Sequence, residues 1–150
     1  YNPPKQHPFN PLAALRLSLK PVSGADQHKV ISALFEAGWS RGADLGDLPT
    51  LIDLLAEQSI DGETLSGKII DPKVKDALVN ETTMAIERGV FGVPTIIVDG
   101  NLFWGNDQIE HVALLLSGQD PLDREKLTAL QNRPRAIDRK AVQEYGADGA

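Results

Sequence analysis

Cysteine is absent from this 150-residue chain. Within this sequence that excludes a CxxC redox pair, a structural disulfide and a thiolate metal site. Histidine is scarce as well. His7, His28 and His111 stand far apart with no HExxH or paired His/Asp spacing, which leaves metal catalysis without support. There is no surplus of basic residues: 15 Lys and Arg against 21 Asp and Glu give a net charge of −6. Binding nucleic acid requires a basic face to neutralise phosphates, so the charge argues against such a partner. Long apolar runs are missing too. None approaches the roughly 18 residues of a membrane span and nothing resembles a secretory leader, so no membrane partner is expected and a cytoplasmic location is the default. What remains is a chain of one-domain size, able to bury roughly 68–70% of its unfolded surface without a metal or disulfide.

Most of the sequence reads as helix. Asn10-Pro11 places a capping residue before a proline at the first helical position, and Leu12, Leu15 and Leu19 continue on one face until Lys20-Pro21. Asp26 is a cap for a second helix with an apolar stripe of Val30, Ile31, Leu34 and Phe35, and Trp39 lies beyond Gly38. A third starts near Asp47 or Leu48 and carries Leu51, Ile52, Leu54 and Leu55. Asp61 caps a short turn through Leu65 and Lys68, and Asp71-Pro72 opens a long helix that Gly89 ends.

The most informative stretch is residues 91–107, FGVPTIIVDGNLFWGND. Val93-Pro94 is a bond that can be cis at a modest cost of about 0.5–1 kcal/mol. Thr95, Ile96, Ile97 and Val98 are β-branched, Asp99-Gly100 is a two-residue hairpin signal, and Leu102, Phe103 and Trp104 supply the return strand. Asn106 and Asp107 are N-cap residue types ahead of Ile109, Val112, Ala113 and Leu116, a helical run that Gly118 stops. From Gln119 onward charges of both signs, Pro121 and Pro134 change the character. Leu127 and Leu130 can dock a turn or two, and residues after about Arg133 read as a loosely attached tail.

A Val-Pro bond leading into a hairpin and then a helix resembles the C-terminal half of the thioredoxin superfamily. The wording of residues 89–112, GVFGVPTIIVDGNLFWGNDQIEHV, is similar to the 2-hydroxychromene-2-carboxylate isomerase family, relatives of kappa-class glutathione transferases and DsbA-like oxidoreductases. Residues 3–17, PPKQHPFNPLAALRL, resemble the segment that follows the second strand of that family and opens its helical domain. The resemblance implies an α/β, thioredoxin-like fold of the DsbA/kappa-class type with an inserted helical domain. It divides the chain into a helical domain with its leading loop at 1–90, the C-terminal half of a thioredoxin-like domain at 91–118, and a tail at 119–150. Only two strands are legible, and the family's first strand, helix and second strand have no counterpart. The chain opens on Tyr-Asn-Pro-Pro without an initiating methionine, so it reads as an N-terminally truncated portion of a longer protein. A two-stranded hairpin is marginal alone, and its unpaired edge invites a homodimer or pairing with the missing segment.

The resemblance also implies glutathione as cofactor and a small aromatic acid as substrate. The backbone of Val93, freed by a cis bond to Pro94, can pair with an extended thiol peptide; the alternative is an ordinary trans proline on an edge strand. Asn106 and Asp107 at a helix start suit the γ-glutamyl end, amides for its carboxylate and Asp107 for its ammonium, or they simply cap. Lys5 and Asn10 fall in the loop that matches the family's glutathione site, where Lys5 can attract a carboxylate; equally, Asn10 is a cap and Lys5 a solvated charge. Arg16 either faces substrate or pairs on the surface. The three histidines read as packing or solvent. The family's sulfur-facing serine, or the cysteine of DsbA-like relatives, lies in the absent N-terminal helix, so no nucleophile-contacting residue is nominated. The leading expectation is therefore a glutathione-dependent isomerase acting by reversible thiol addition and cis/trans isomerisation in aromatic degradation. Its rivals are a disulfide oxidoreductase whose cysteines lie outside this sequence and a non-catalytic association module.

Overall fold

The computed structural model describes residues 2–5 and 7–133. The chain divides into two compact units, Tyr1–Phe91 and Gly92–Ala150.

The first unit is helical: α1 Leu12–Leu17, α2 Lys20–Ser23, a 3-10 turn Gly24–Asp26, α3 Gln27–Ser40, α4 Leu48–Glu57, α5 Gly62–Lys68 and α6 Pro72–Glu87. Three starts use the same device. The carboxylates of Asp47, Asp61 and Asp71 accept the backbone N–H of Thr50, Thr64 and Lys73, each filling one of the four donors a helix leaves unpaired at its first turn. Their inward faces build one core in which Leu17, Val30, Leu51 and Leu55 are wholly buried, joined by Val22, Leu34, Ala37 and Leu65. Burial of each large side chain contributes about 1.5–3 kcal/mol.

Several local expectations are corrected here. The face of α1 that turns inward carries Ala14 and Leu17, while Leu12 and Leu15 are exposed. Lys20-Pro21 ends α1 but also begins α2, since proline suits a helix start. Asp26 forms no side-chain cap for α3; its carboxylate instead pairs with Lys29 at 3.4 Å. Of the α3 stripe, Val30 and Leu34 are buried, whereas Ile31 and Phe35 are exposed. Gly38 lies inside α3, and a Cβ there would meet Leu45 Cδ1 at 2.6 Å, so the missing side chain lets the following loop close onto the helix. A comparable approach joins α4 to α5, where a Cβ on Gly62 would lie 2.8 Å from the Ile52 carbonyl oxygen.

The second unit starts with an antiparallel pair, β1 Thr95–Val98 and β2 Asn101–Trp104, in the register Thr95↔Trp104, Ile96↔Phe103, Ile97↔Leu102 and Val98↔Asn101. The register follows from the turn. Asp99 (φ 49°) and Gly100 (φ 78°) both adopt positive φ, the requirement of the two-residue turn whose twist matches the strands. Among the described residues this is a two-stranded sheet, so the outer edge of each strand has no strand partner. A 3-10 turn Asn106–Gln108, α7 Ile109–Leu116 and α8 Arg124–Gln131 follow. Leu127 and Leu130 lie on α8 but stay 38% and 53% exposed, so that helix docks loosely rather than through them. The tail expected after Arg133 falls outside the described residues.

Candidate functional site at the base of the hairpin

The Val93–Pro94 bond is cis. Its loop is held from both sides: the Thr95 hydroxyl donates to the Gly92 carbonyl at 2.6 Å, and the Gly105 N–H donates to the Pro94 carbonyl at 2.9 Å, extending the ladder one step past β1. The Trp104 indole lies over Gly92, where a Cβ would sit 3.2 Å from Cδ1 and Cε2 and closer still to Nε1, so the loop approaches the return strand only because residue 92 has no side chain. Val93 points outward and is 88% exposed. Among the described residues neither its N–H nor its C=O takes a backbone partner.

The Gly105–Pro94 bond brings the turn that carries Asn106 and Asp107 to the same end of the hairpin as Val93 and Pro94. These two residues are not helix caps as their types suggest. They form the 3-10 turn, and the residue at the N-cap position of α7 is Gln108, which makes no side-chain cap bond. Gly105 takes φ 106°, a region that favours glycine, and a Cβ there would collide with Asp107 Oδ1. The other carboxylate oxygen of Asp107 accepts a hydrogen bond from the Gln108 amide at 3.0 Å.

Lys5 and Asn10 belong to the first unit. Lys5 is exposed and makes no ion pair among the described residues. Asn10 Oδ1 accepts the Leu12 N–H at 3.1 Å, but the N-cap position of α1 is Pro11 rather than Asn10, because the helix starts one residue later than expected, at Leu12. Asn10 also lines an open cleft of about 400 Å³ with Pro8, Phe9, Asp44, Gly46 and Asp47. In that cleft the Thr50 hydroxyl, and after it the Thr50 N–H, hold the Asp47 carboxyl below the ordinary carboxylate range. Beside it His7 packs edge-on against Phe9 and Trp39, both ring pairs 6.0 Å apart, and the His7–Pro8 bond is also cis. Arg16 forms no ion pair among the described residues; its Nε is buried without a hydrogen-bond partner there.

Sequence reasoning passed over Gly105, Gln108 and the Thr95 hydroxyl. A glycine directly after a strand and before two turn-forming residues was a usable signal for the first. The Gln108 bond to its neighbour carries no sequence pattern. Among the described residues no group of His, Asp and Glu is placed to hold a metal ion, and no helix is long and apolar enough to cross a membrane.

A helical unit followed by a cis-proline loop that opens a hairpin is consistent with a thioredoxin-like domain. The profile of the DSBA-like thioredoxin domain matches residues 1–117, and the chain belongs to that family. It is 31% identical over 88 residues to a 2-hydroxychromene-2-carboxylate isomerase of Sphingobium xenophagum, a match covering 58% of this chain and 45% of that protein. A protein of the same name from Pseudomonas sp. (strain C18) is 32% identical over 81 residues, covering 53% of this chain and 37% of that protein. Human glutathione S-transferase kappa 1 is 33% identical over 85 residues, covering 52% and 38%. The matched stretches thus span less than half the length of these curated relatives.

Proposed function

We propose that this chain contributes the glutathione-holding part of an isomerase site of the 2-hydroxychromene-2-carboxylate type. The observation that carries the reading is the exposed Val93 backbone at the cis-proline loop, with N–H and C=O unpartnered among the described residues, in a chain similar to isomerases and to a kappa-class transferase. Two features fit an extended γ-glutamyl peptide. The free backbone edge matches the main chain of such a peptide, and the exposed Asp107 carboxylate at the same end of the hairpin matches an ammonium.

When bound, glutathione would supply a thiolate that adds reversibly to a conjugated double bond, permits rotation about the resulting single bond, and leaves. The residues of this chain position rather than react. Val93 would hold the peptide main chain, and Pro94 keeps that edge free of a ladder N–H. Asp107 would pair with the α-ammonium, and Asn106 would line the same end. Within the first unit, Lys5 and Asn10 are proposed separately as residues that could meet a ligand carboxylate.

Calorimetric titration of glutathione into the protein tests this. Saturable binding that weakens about tenfold in Asp107→Ala, the equivalent of a charge-assisted hydrogen bond, is the expected result. No saturable heat from the unmodified protein would sink the proposal.

The open hairpin edges and the exposed Val79, Met84 and Ile86 on α6 favour association, either as a homodimer or with a further segment. Sedimentation velocity addresses this directly: a stable monomer of this 150-residue chain contradicts it.

A further inference from the structure

We infer that Gln108 is a positioning residue for the same site, fixing the Asp107 carboxylate so that the site selects a ligand with a free α-ammonium. The inference rests on the glutathione reading above and deepens it.

Three ties make Gln108 the anchor of the pair. Its backbone N–H donates to the Gly105 carbonyl at 3.2 Å, closing the 3-10 turn. The residue is half-buried and lines a cleft of about 640 Å³ with Asn101, Phe103, His111 and Asp120. Its amide nitrogen donates to Asp107 Oδ2 at 3.0 Å. Asp107 by contrast is exposed, and an exposed carboxylate ordinarily samples several rotamers. Here one oxygen, Oδ2, accepts from Gln108, and the other, Oδ1, occupies the space that a Cβ on Gly105 would fill. The carboxylate is thereby held before any ligand arrives, which removes an ordering cost from binding.

Gln108 can fulfil this role because an amide donates without adding charge. A lysine at this position would neutralise Asp107 and compete with an incoming ammonium, and a glutamate would repel the carboxylate. A neutral donor orients the acid and leaves its full negative charge for the ligand.

The test compares glutathione with its analogue lacking the α-amino group, titrated into the unmodified protein, Gln108→Met and Asp107→Ala. Methionine keeps the length and apolar volume of the wall but cannot donate. Gln108→Met is expected to lose about 5–10-fold in affinity for glutathione, comparable to one ordinary hydrogen bond, and less than about twofold for the analogue. Gly105→Ala is expected to reproduce the same ligand-dependent loss by displacing Oδ1. An equal loss for both ligands in Gln108→Met would reduce Gln108 to a structural role and overturn the inference, as would no loss for either. If the unmodified protein and Asp107→Ala bind glutathione alike, the Asp107 reading itself has failed and the inference with it. If Asp107→Ala is impaired while Gln108→Met is not, the inference alone fails.

Discussion

Two glycines in α5 should respond to the same substitution with opposite sign. Gly62 is buried at the first residue of the helix, and a Cβ there would lie 2.8 Å from the carbonyl oxygen and 2.9 Å from the Cα of Ile52. Ordinary contact begins at 3.4 Å, so α4 and α5 would have to part by about half an ångström, and the atoms in the way are backbone that no rotamer change can move. Overpacking of this kind costs about 1–3 kcal/mol. Gly67 is exposed one turn later with nothing within 4 Å of the added carbon. There alanine only removes glycine's excess backbone entropy, a gain of about 0.5–1 kcal/mol, toward the lower figure in a terminal turn. Urea and thermal unfolding followed by far-UV circular dichroism should therefore separate Gly62→Ala from Gly67→Ala by about 1.5–4 kcal/mol. For a unit of this size, ending at Phe91, that is a gap of roughly 6–30 °C in Tm. Combining Gly62→Ala with Ile52→Ala should recover little, since the nearest atoms are not in the Ile52 side chain. A Gly62→Ala protein as stable as the parent, or one rescued by Ile52→Ala, would refute the close-approach account of the α4–α5 junction.

Leu55→Ala, at a wholly buried position, should cost about 2–5 kcal/mol in urea unfolding; a cost under about 1 kcal/mol would mean that Leu55 is not in the core. The Asp61 carboxyl is held below its ordinary range by the Thr64 N–H and then the Thr64 hydroxyl. The stability this adds is present above the unfolded value of about 3.9 and lost as pH falls through the lower folded value, so the advantage of the parent over Asp61→Asn should shrink below about pH 4; a pH-independent difference contradicts the assignment. Gly92→Ala should displace the Trp104 indole, visible as a shift in tryptophan emission in a Trp39→Phe background, and should weaken glutathione binding in parallel. An unchanged spectrum would place the indole elsewhere.

The features legible in the sequence are those with a short-range cause. Asp99-Gly100 dictates a turn because two adjacent residues must take positive φ, and Asp47, Asp61 and Asp71 announce helix starts because each accepts an N–H two or three residues on. The illegible features depend on distant partners. Around α1 nearly every position is apolar, so periodicity alone allowed either the face with Leu12 and Leu15 or the one with Ala14 and Leu17; packing against α6 and the remaining core decides. The role of Gly38 has no local signal either, since its bare Cα serves to admit Leu45, seven residues away. The same holds in the outer part of the α3 stripe, where Ile31 and Phe35 stand outside the core that the described residues of their unit build.

The candidate site follows this division closely. A motif marks Val93-Pro94 and Asp107, while Gly105 and Gln108 make contacts that residue types alone do not reveal. Gly105 is needed twice over: its φ of 106° turns the chain out of β2, and its bare Cα leaves room for the Asp107 carboxylate. A single glycine thus sets both the direction of the strand exit and the position of the acid, while its N–H ties the turn to the carbonyl of Pro94. The coupling makes a site of this kind depend on backbone shape more than on reactive side chains. On the proposed reading, that is how a chain without cysteine, and with histidines far apart in sequence, would carry the part of a thiol-peptide site that grips rather than reacts.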